Sequence, residues 1–161
     1  MLKSNRSNVC RGLFCLFAGA AFLLSFGCEM APQAQTGLES DQKRALISIT
    51  SDPQADPQAV NMALTFAGFC VDEGYEVSIF FNVKGVLLPT RTFDKEFRFG
   101  EHSPMIEQLQ TLEGRGVQLH VCPVCMKDLA IPAEAIIPEA FVTDKPKLFA
   151  RLGGDTMVFS Y

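Results

Sequence analysis

The chain has 161 residues, 48% hydrophobic and 20% charged, with a formal net charge of -4. This composition excludes a collagen, a coiled coil, a polytopic membrane protein and a disulfide-stapled miniprotein. Fourteen basic residues against eighteen acidic ones also argue against nucleic acid as a partner, because phosphate neutralisation needs clustered Lys and Arg. The charge is uneven: residues 1–27 carry Lys3, Arg6 and Arg11 and no acid, leaving 11 basic and 18 acidic residues beyond them.

The basic start is followed by the apolar run Gly12 to Leu24, which is 13 residues long. A membrane-crossing helix needs about 20 residues, so this run has the dimensions of a signal-peptide core. Leu24-Ser25-Phe26-Gly27-Cys28 comes directly after it and resembles the bacterial lipobox, with Ser25 where an aliphatic residue is commonest. The expectation is a lipoprotein signal peptide over 1–27 and a lipidated Cys28, with Cys10 and Cys15 lost with the leader. An ordinary secretory signal is the plainer alternative. Glu29 after the cysteine, rather than Asp, leans towards the outer membrane, with the chain facing the periplasm and meeting lipid only through its anchor. Glu29 to Gln42 is small and polar without apolar period. It reads as a flexible tether reaching roughly 20 Å, so the folded domain is expected over 43–161.

From there the pattern alternates. Arg44 to Thr50 is a short apolar, β-branched run, the pattern of a buried parallel strand. Asp56-Pro57 supplies an N-cap and a first-turn proline. Val60, Leu64, Ala67 and Val71 then recur at helical spacing, with Met62, Phe66 and Phe69 widening the stripe until Gly74. Tyr75 to Val83 predicts a second strand, and Lys84 to His102 a long loop of the kind that usually serves function or an interface. Ser103-Pro104 opens a helix carrying Ile106, Leu109 and Leu112, closed by Gly114 and Gly116. Val117 to Val121 is a third strand with Cys122-Pro123-Val124-Cys125 at its carboxyl end, and a short helix is expected from Met126 to Ala130. A fourth strand around Phe141-Val142, a helix capped by Asp144 and running through Leu152, and a last strand over 155–161 complete the series. The expected fold is α/β, with right-handed crossovers and a parallel sheet covered on both faces.

Ligands gather at the carboxyl ends of strands in such sheets, and Cys122 falls there. A strand ends, two thiols follow three residues apart, and a helix begins, so the helix N-terminus is expected to lower the thiol pKa and favour a thiolate or persulfide. Pro123 fixes the turn, and Lys127 and His120 are placed to assist. The plain alternative is a pair of core thiols or an inert disulfide. Thioredoxin-like exchange shares the local layout but places its CxxC early in the chain, whereas here 36 residues follow Cys125. A metal held by His120, Cys122 and Cys125 is another reading, needing a fourth ligand such as His102. Cys70, beside Phe69 and Val71, reads as a core thiol.

Val121 to Ile131, placed after the third strand, resembles the corresponding segment of the DsrE/DsrF-like family of sulfur-relay proteins. The Phe80-Phe81 strand end, Lys84-Gly85-Val86 and the closing stretch Lys147 to Leu152 fit the same pattern. The resemblance implies a three-layer α/β/α domain with a five-stranded parallel sheet, often trimeric or hexameric. It implies a persulfide-carrying Cys nine residues before an Ile that usually follows Gly. Cys122 and Ile131 stand at that spacing, with Ala130 in place of the Gly and Cys125 as an additional thiol. The resemblance therefore assigns Cys122 as the reactive thiol and Cys125 as its resolving partner. A protein partner in sulfur or thiol exchange is expected, and no cofactor. A non-catalytic envelope binding module is the reading from another class. For self-association, Val86, Leu87 and Leu88 with Phe93, Phe97 and Phe99 are the expected contacts.

Overall fold

The computed structural model describes residues 42–161; the expected leader, Cys28 and all of the tether but Gln42 lie outside the described residues. The elements run β1 (Arg44–Ile49), α1 (Pro57–Asp72), β2 (Glu76–Phe81), α2 (Met105–Gly114), β3 (Gln118–Val121), α3 (Pro123–Asp128), β4 (Ala140–Val142), α4 (Lys145–Phe149) and β5 (Thr156–Ser160). Short 3-10 turns occupy Val83–Leu87 and Ala133–Ala135. The five strands form one parallel sheet in the order β4-β3-β2-β1-β5. The α/β fold with a five-stranded parallel sheet is therefore as the sequence predicts.

Strand order decides which face each helix covers. The steps from β1 to β4 all run one way across the sheet, so right-handed crossovers put α1, α2 and α3 on one face. The return from β4 to β5 runs the other way and puts α4 on the opposite face. On the first face Ile47, Ile49, Ile79, Phe81, Leu119 and Val121 are fully buried. Against them α1 packs Val60, Ala63, Leu64 and Ala67, and α2 packs Met105, Leu109 and Leu112. The Cys70 thiol belongs to this core, and burial pushes its pKa up.

The predicted stripe on α1 is too wide. Met62 and Phe69 are 44% and 55% exposed. At 3.6 residues per turn both lie about half a turn round the helix from Val60, on the solvent side. Phe66 stands between, half-buried, with its ring edge-on to Phe159 at 4.6 Å.

The second face is more polar. Arg44 and Glu76 pair across neighbouring strands at 3.2 Å, and Arg151 after α4 reaches the same Glu76 carboxylate. Helix α4 ends at Phe149, short of the predicted Leu152. Asp144 caps α4 by accepting from the Lys147 N–H at 2.8 Å, which holds its carboxyl below the ordinary carboxylate range. Nearer the carboxyl end, Ser48, Phe80, His120 and Phe141 share one cross-strand row. His120 is 1% exposed, its ring lies edge-on to Phe141 at 4.4 Å, and its Nδ1 is 3.1 Å from the Thr143 hydroxyl. Thr143 donates its own proton to the Asp144 carbonyl, so it accepts from Nδ1–H and leaves Nε2 as a buried, unpartnered lone pair. Burial, with the Arg151 guanidinium as the lesser cause, lowers His120 to about 4.

The expected long loop is folded onto the domain. Val86 and Leu88 are fully buried, Phe93 is 8% exposed and packs edge-on to Phe97, and Leu87, Phe97 and Phe99 are half-buried. Val86, Leu88 and Phe93, three of the residues expected at a self-association contact, belong to the domain's own core, with Phe97 and Phe99 packed partly against it. The reason is backbone pairing: Thr90 bridges Ile136, and Ile137 N–H donates to the Pro89 carbonyl, which folds the loop back as an inner layer.

Helices α1, α2 and α3 end alike. The N–H two residues past the C-cap region returns to a carbonyl of the last turn, as Tyr75 to Cys70, Val117 to Leu112 and Ile131 to Met126. The motif needs a left-handed residue, supplied by Gly74 and Gly116 at φ 78° and 91° but by Ala130 at φ 52°. Relieving the Cβ clash is worth roughly 1–2 kcal/mol and glycine's extra unfolded-state entropy costs roughly 0.5–1 kcal/mol. Ala130→Gly is therefore expected to stabilise the domain by about 0.5–1 kcal/mol, read as a rise in the urea midpoint; a fall would contradict the motif.

The buried histidine sets a second expectation. Between its ordinary pKa near 6.5 and its folded value of about 4, the unfolded chain binds the proton and the folded one does not. Stability should fall as pH drops from 7 to 4, by up to about 3 kcal/mol from this residue. His120→Gln keeps a donor for Thr143 without titrating and should flatten that part of the slope. Urea titrations at several pH values with an unchanged slope would assign the effect elsewhere.

Candidate functional site

The site forms where β1, β2 and β3 end. Cys122 directly follows β3, and its N–H donates to the Phe81 carbonyl at 3.0 Å, tying it to the end of β2. Pro123 then begins α3, three residues earlier than the helix expected from Met126. Proline suits this first position because no helical acceptor waits for its missing N–H. Cys122 becomes the N-cap residue, and its carbonyl accepts from Met126 N–H at 3.1 Å. Cys125 sits one turn on, inside α3. Both cysteines are half-buried and stand as free thiols.

Facing them is the turn after β2. The predicted strand through Val83 stops at Phe81. Asn82 N–H donates to the Ile49 carbonyl at 3.0 Å, and its side-chain amide donates to the Ser48 hydroxyl at 3.1 Å. Gly85 N–H returns to the Asn82 carbonyl at 2.8 Å. Held between these bonds, Val83 takes φ 48°. For a β-branched residue that conformation costs roughly 1–3 kcal/mol and persists only where the surroundings over-determine it. Its N–H points at Cys125 and donates to Sγ at 3.1 Å. Val83 was hidden in the sequence, because valine after a run of strand-formers reads as more strand. Gly85 was the one nearby signal of a turn.

The electrostatics at Cys125 run against the expected acidification. Burial pushes the Cys125 thiol above its ordinary range, and the Cys122 side chain and the Asp128 carboxylate add to the rise. The Val83 N–H opposes them. Helix α3 has six residues, too few for a large end-to-end dipole to outweigh desolvation.

Of the other predicted participants, none makes a hydrogen bond to either sulfur among the described residues. His120, expected on the Cys122 side, spends its Nδ1 on Thr143. Lys127 is exposed, and its amine makes no ion pair among the described residues. His102 stacks on Phe99 with centroids 6.2 Å apart and lines a separate groove of about 760 Å³ with Arg91, Lys95, Glu107 and Glu139. Neither Cys122 nor Cys125 lines that groove. Among the described residues no three His, Cys, Asp or Glu side chains gather to hold a metal, which removes the support for the His120, Cys122 and Cys125 ligand set.

The sequence pattern of the DsrE/DsrF-like family matches residues 43–152. Among solved structures, the chain is similar to the ychN protein from E. coli at 16% identity and a TM-score of 0.52, over 74% of this chain and 99% of that one. It is also similar to MTH1491 from Methanobacterium thermoautotrophicum, a protein of unknown function, at 13% identity and a TM-score of 0.55, over 75% and 100% of the two chains. Identities this low speak to fold alone. No curated protein matches the sequence. A family pattern spanning nearly the whole described domain, on a parallel sheet shared with both of these structures, establishes that this chain belongs to the DsrE/DsrF-like family.

Proposed function

We propose that Cys122 and Cys125 are the working thiols of a lipid-anchored, periplasm-facing DsrE-like protein that carries sulfur as a persulfide or exchanges thiols with a protein partner. The observation that carries this reading is the Cys125 sulfur, held by a backbone donor on a strained turn, in a pair of cysteines that are only half-buried. Core thiols need no such donor, and Cys70 receives none among the described hydrogen bonds.

The chemistry balances without a cofactor. The Cys122 thiolate attacks the outer sulfur of a persulfide donor, the donor's S–S bond breaks, its thiolate leaves, and Cys122 carries the new S–S bond. An acceptor thiol can then take the outer sulfur and restore the Cys122 thiolate. Alternatively the Cys125 thiolate attacks Cys122 Sγ, hydrosulfide leaves, and the Cys122–Cys125 disulfide forms. A dithiol partner returns that disulfide to two thiols with two electrons and two protons, becoming a disulfide itself.

The basic start, the apolar run Gly12 to Leu24 and Cys28 support a diacylated anchor in the outer membrane. Family membership supports assembly into three or six copies. With the long loop folded inward, the apolar side chains left for such contacts include Phe69, Phe149 and Val158.

Reduced protein treated with a polysulfide should gain about 32 Da, one sulfur atom, on Cys122, and Cys122→Ala should abolish the gain. No adduct on Cys122 would overturn the proposed chemistry. The same preparation should sediment as a trimer or hexamer, and a monomer would overturn the assembly. In a bacterial host, metabolic labelling with an alkyne fatty acid should mark the chain and leave Cys28→Ser unmarked; an unlabelled wild-type chain would remove the anchor.

A further inference from the structure

We infer that the Asn82–Val83 peptide is a positioning element for Cys125, its N–H stabilising that sulfur as a thiolate and so governing when Cys125 can attack. The inference rests on Cys122 and Cys125 being the working pair. Three features of the turn carry it.

First, the conformation is imposed. Valine avoids φ near 48°, and here bonds on both sides hold it: Asn82 to the end of β1 through backbone and side chain, Gly85 back to Asn82. Second, the turn is seated where no other residue fits. A Cβ on Gly85 would come within 2.0 Å of the Ile49 carbonyl oxygen, so the segment after Val83 is pinned against β1. Third, the imposed conformation has one visible product, the N–H to Sγ contact at 3.1 Å.

The charged and titratable surroundings make that donor count. Cys122 lies at the N-cap of α3, and Asp128 closes the same helix; both disfavour negative charge on Cys125. On the turn that packs against α3, the charged side chain is Lys84, and its amine pairs with Asp52 at 3.6 Å. Among the described hydrogen bonds, the Val83 N–H is the donor that Sγ receives. A backbone N–H bonds a thiolate far better than a thiol, so it favours the attacking form.

The test follows alkylation of Cys125 by iodoacetamide against pH in the Cys122→Ser chain, read on the peptide that carries Cys125 so that Cys70 does not contribute. Replacing Val83 by its 2-hydroxy acid analogue turns the amide into an ester, which deletes the N–H and keeps the side chain. The midpoint should rise by about one pH unit, with about ten-fold slower alkylation at neutral pH. Val83→Gly keeps the N–H and should leave the midpoint within a few tenths of a unit. An unchanged midpoint in the ester protein would overturn the inference. If the ester protein does not fold, the Val83 amide proton resonance in the Cys122→Ser chain decides. It should move downfield with the Cys125 titration, and a flat response would also overturn it. Neither readout uses a sulfur donor. A missing sulfur adduct with these shifts intact would defeat the proposed function alone, and the reverse result would defeat this inference alone.

Discussion

The closest constraint in the domain is the contact between Gly85 and the end of β1. With a Cβ, residue 85 would meet the Ile49 carbonyl oxygen at 2.0 Å, so only glycine lets the chain leaving β2 press onto β1. That same carbonyl accepts the Asn82 N–H at 3.0 Å. Between these two anchors the backbone has little freedom, and the strain falls on Val83. The geometry of the thiol site follows from that small region. Cys122 is tied to Phe81 at the end of β2, and Cys125, one helical turn on, meets the N–H that the strained residue exposes.

The two faces of the sheet differ in polarity. The face under α1 and α2 is dry and aliphatic, with six strand side chains fully buried on β1, β2 and β3. The other face mixes Ser48, Ser78, Arg44, Glu76 and His120 with apolar residues, and among the described residues its helix is the five-residue α4. His120 shows the cost of that mixture. Its Nδ1 is satisfied by Thr143, but Nε2 is buried without a partner, and the imidazole is held neutral. A histidine so held braces the β3–β4 edge through Thr143 and Phe141.

Much of the fold was legible in the residues. The strands are short, mostly apolar runs, and a parallel sheet covered on both faces needs little more than that signal. Asp56-Pro57 and Asp144 mark helix starts, and the glycines at 74 and 116 mark helix ends. The loop from Lys84 to His102 was misleading because its glycines and proline hide a buried core that forms only on pairing with Ile136 and Ile137. Met62 and Phe69 were misleading because hydrophobicity does not say which side of a helix faces inward; the angle from Val60 does.

For the site, the chain order placed Cys122 and Cys125 at the carboxyl end of the third strand, since a CxxC after a strand can lie nowhere else along the chain. Sequence neighbours also suggested an acidified pair, with His120 and Lys127 in attendance. Those expectations turned on distances between segments. Cys125 meets Val83, 42 residues away, and His120 meets Thr143, 23 residues away. Local composition determines which backbone shapes are cheap, so it decides strands, caps and turns. Burial and cross-chain hydrogen bonding exist only once β1, β2 and β3 lie side by side, so the environment of each sulfur was settled by the tertiary structure.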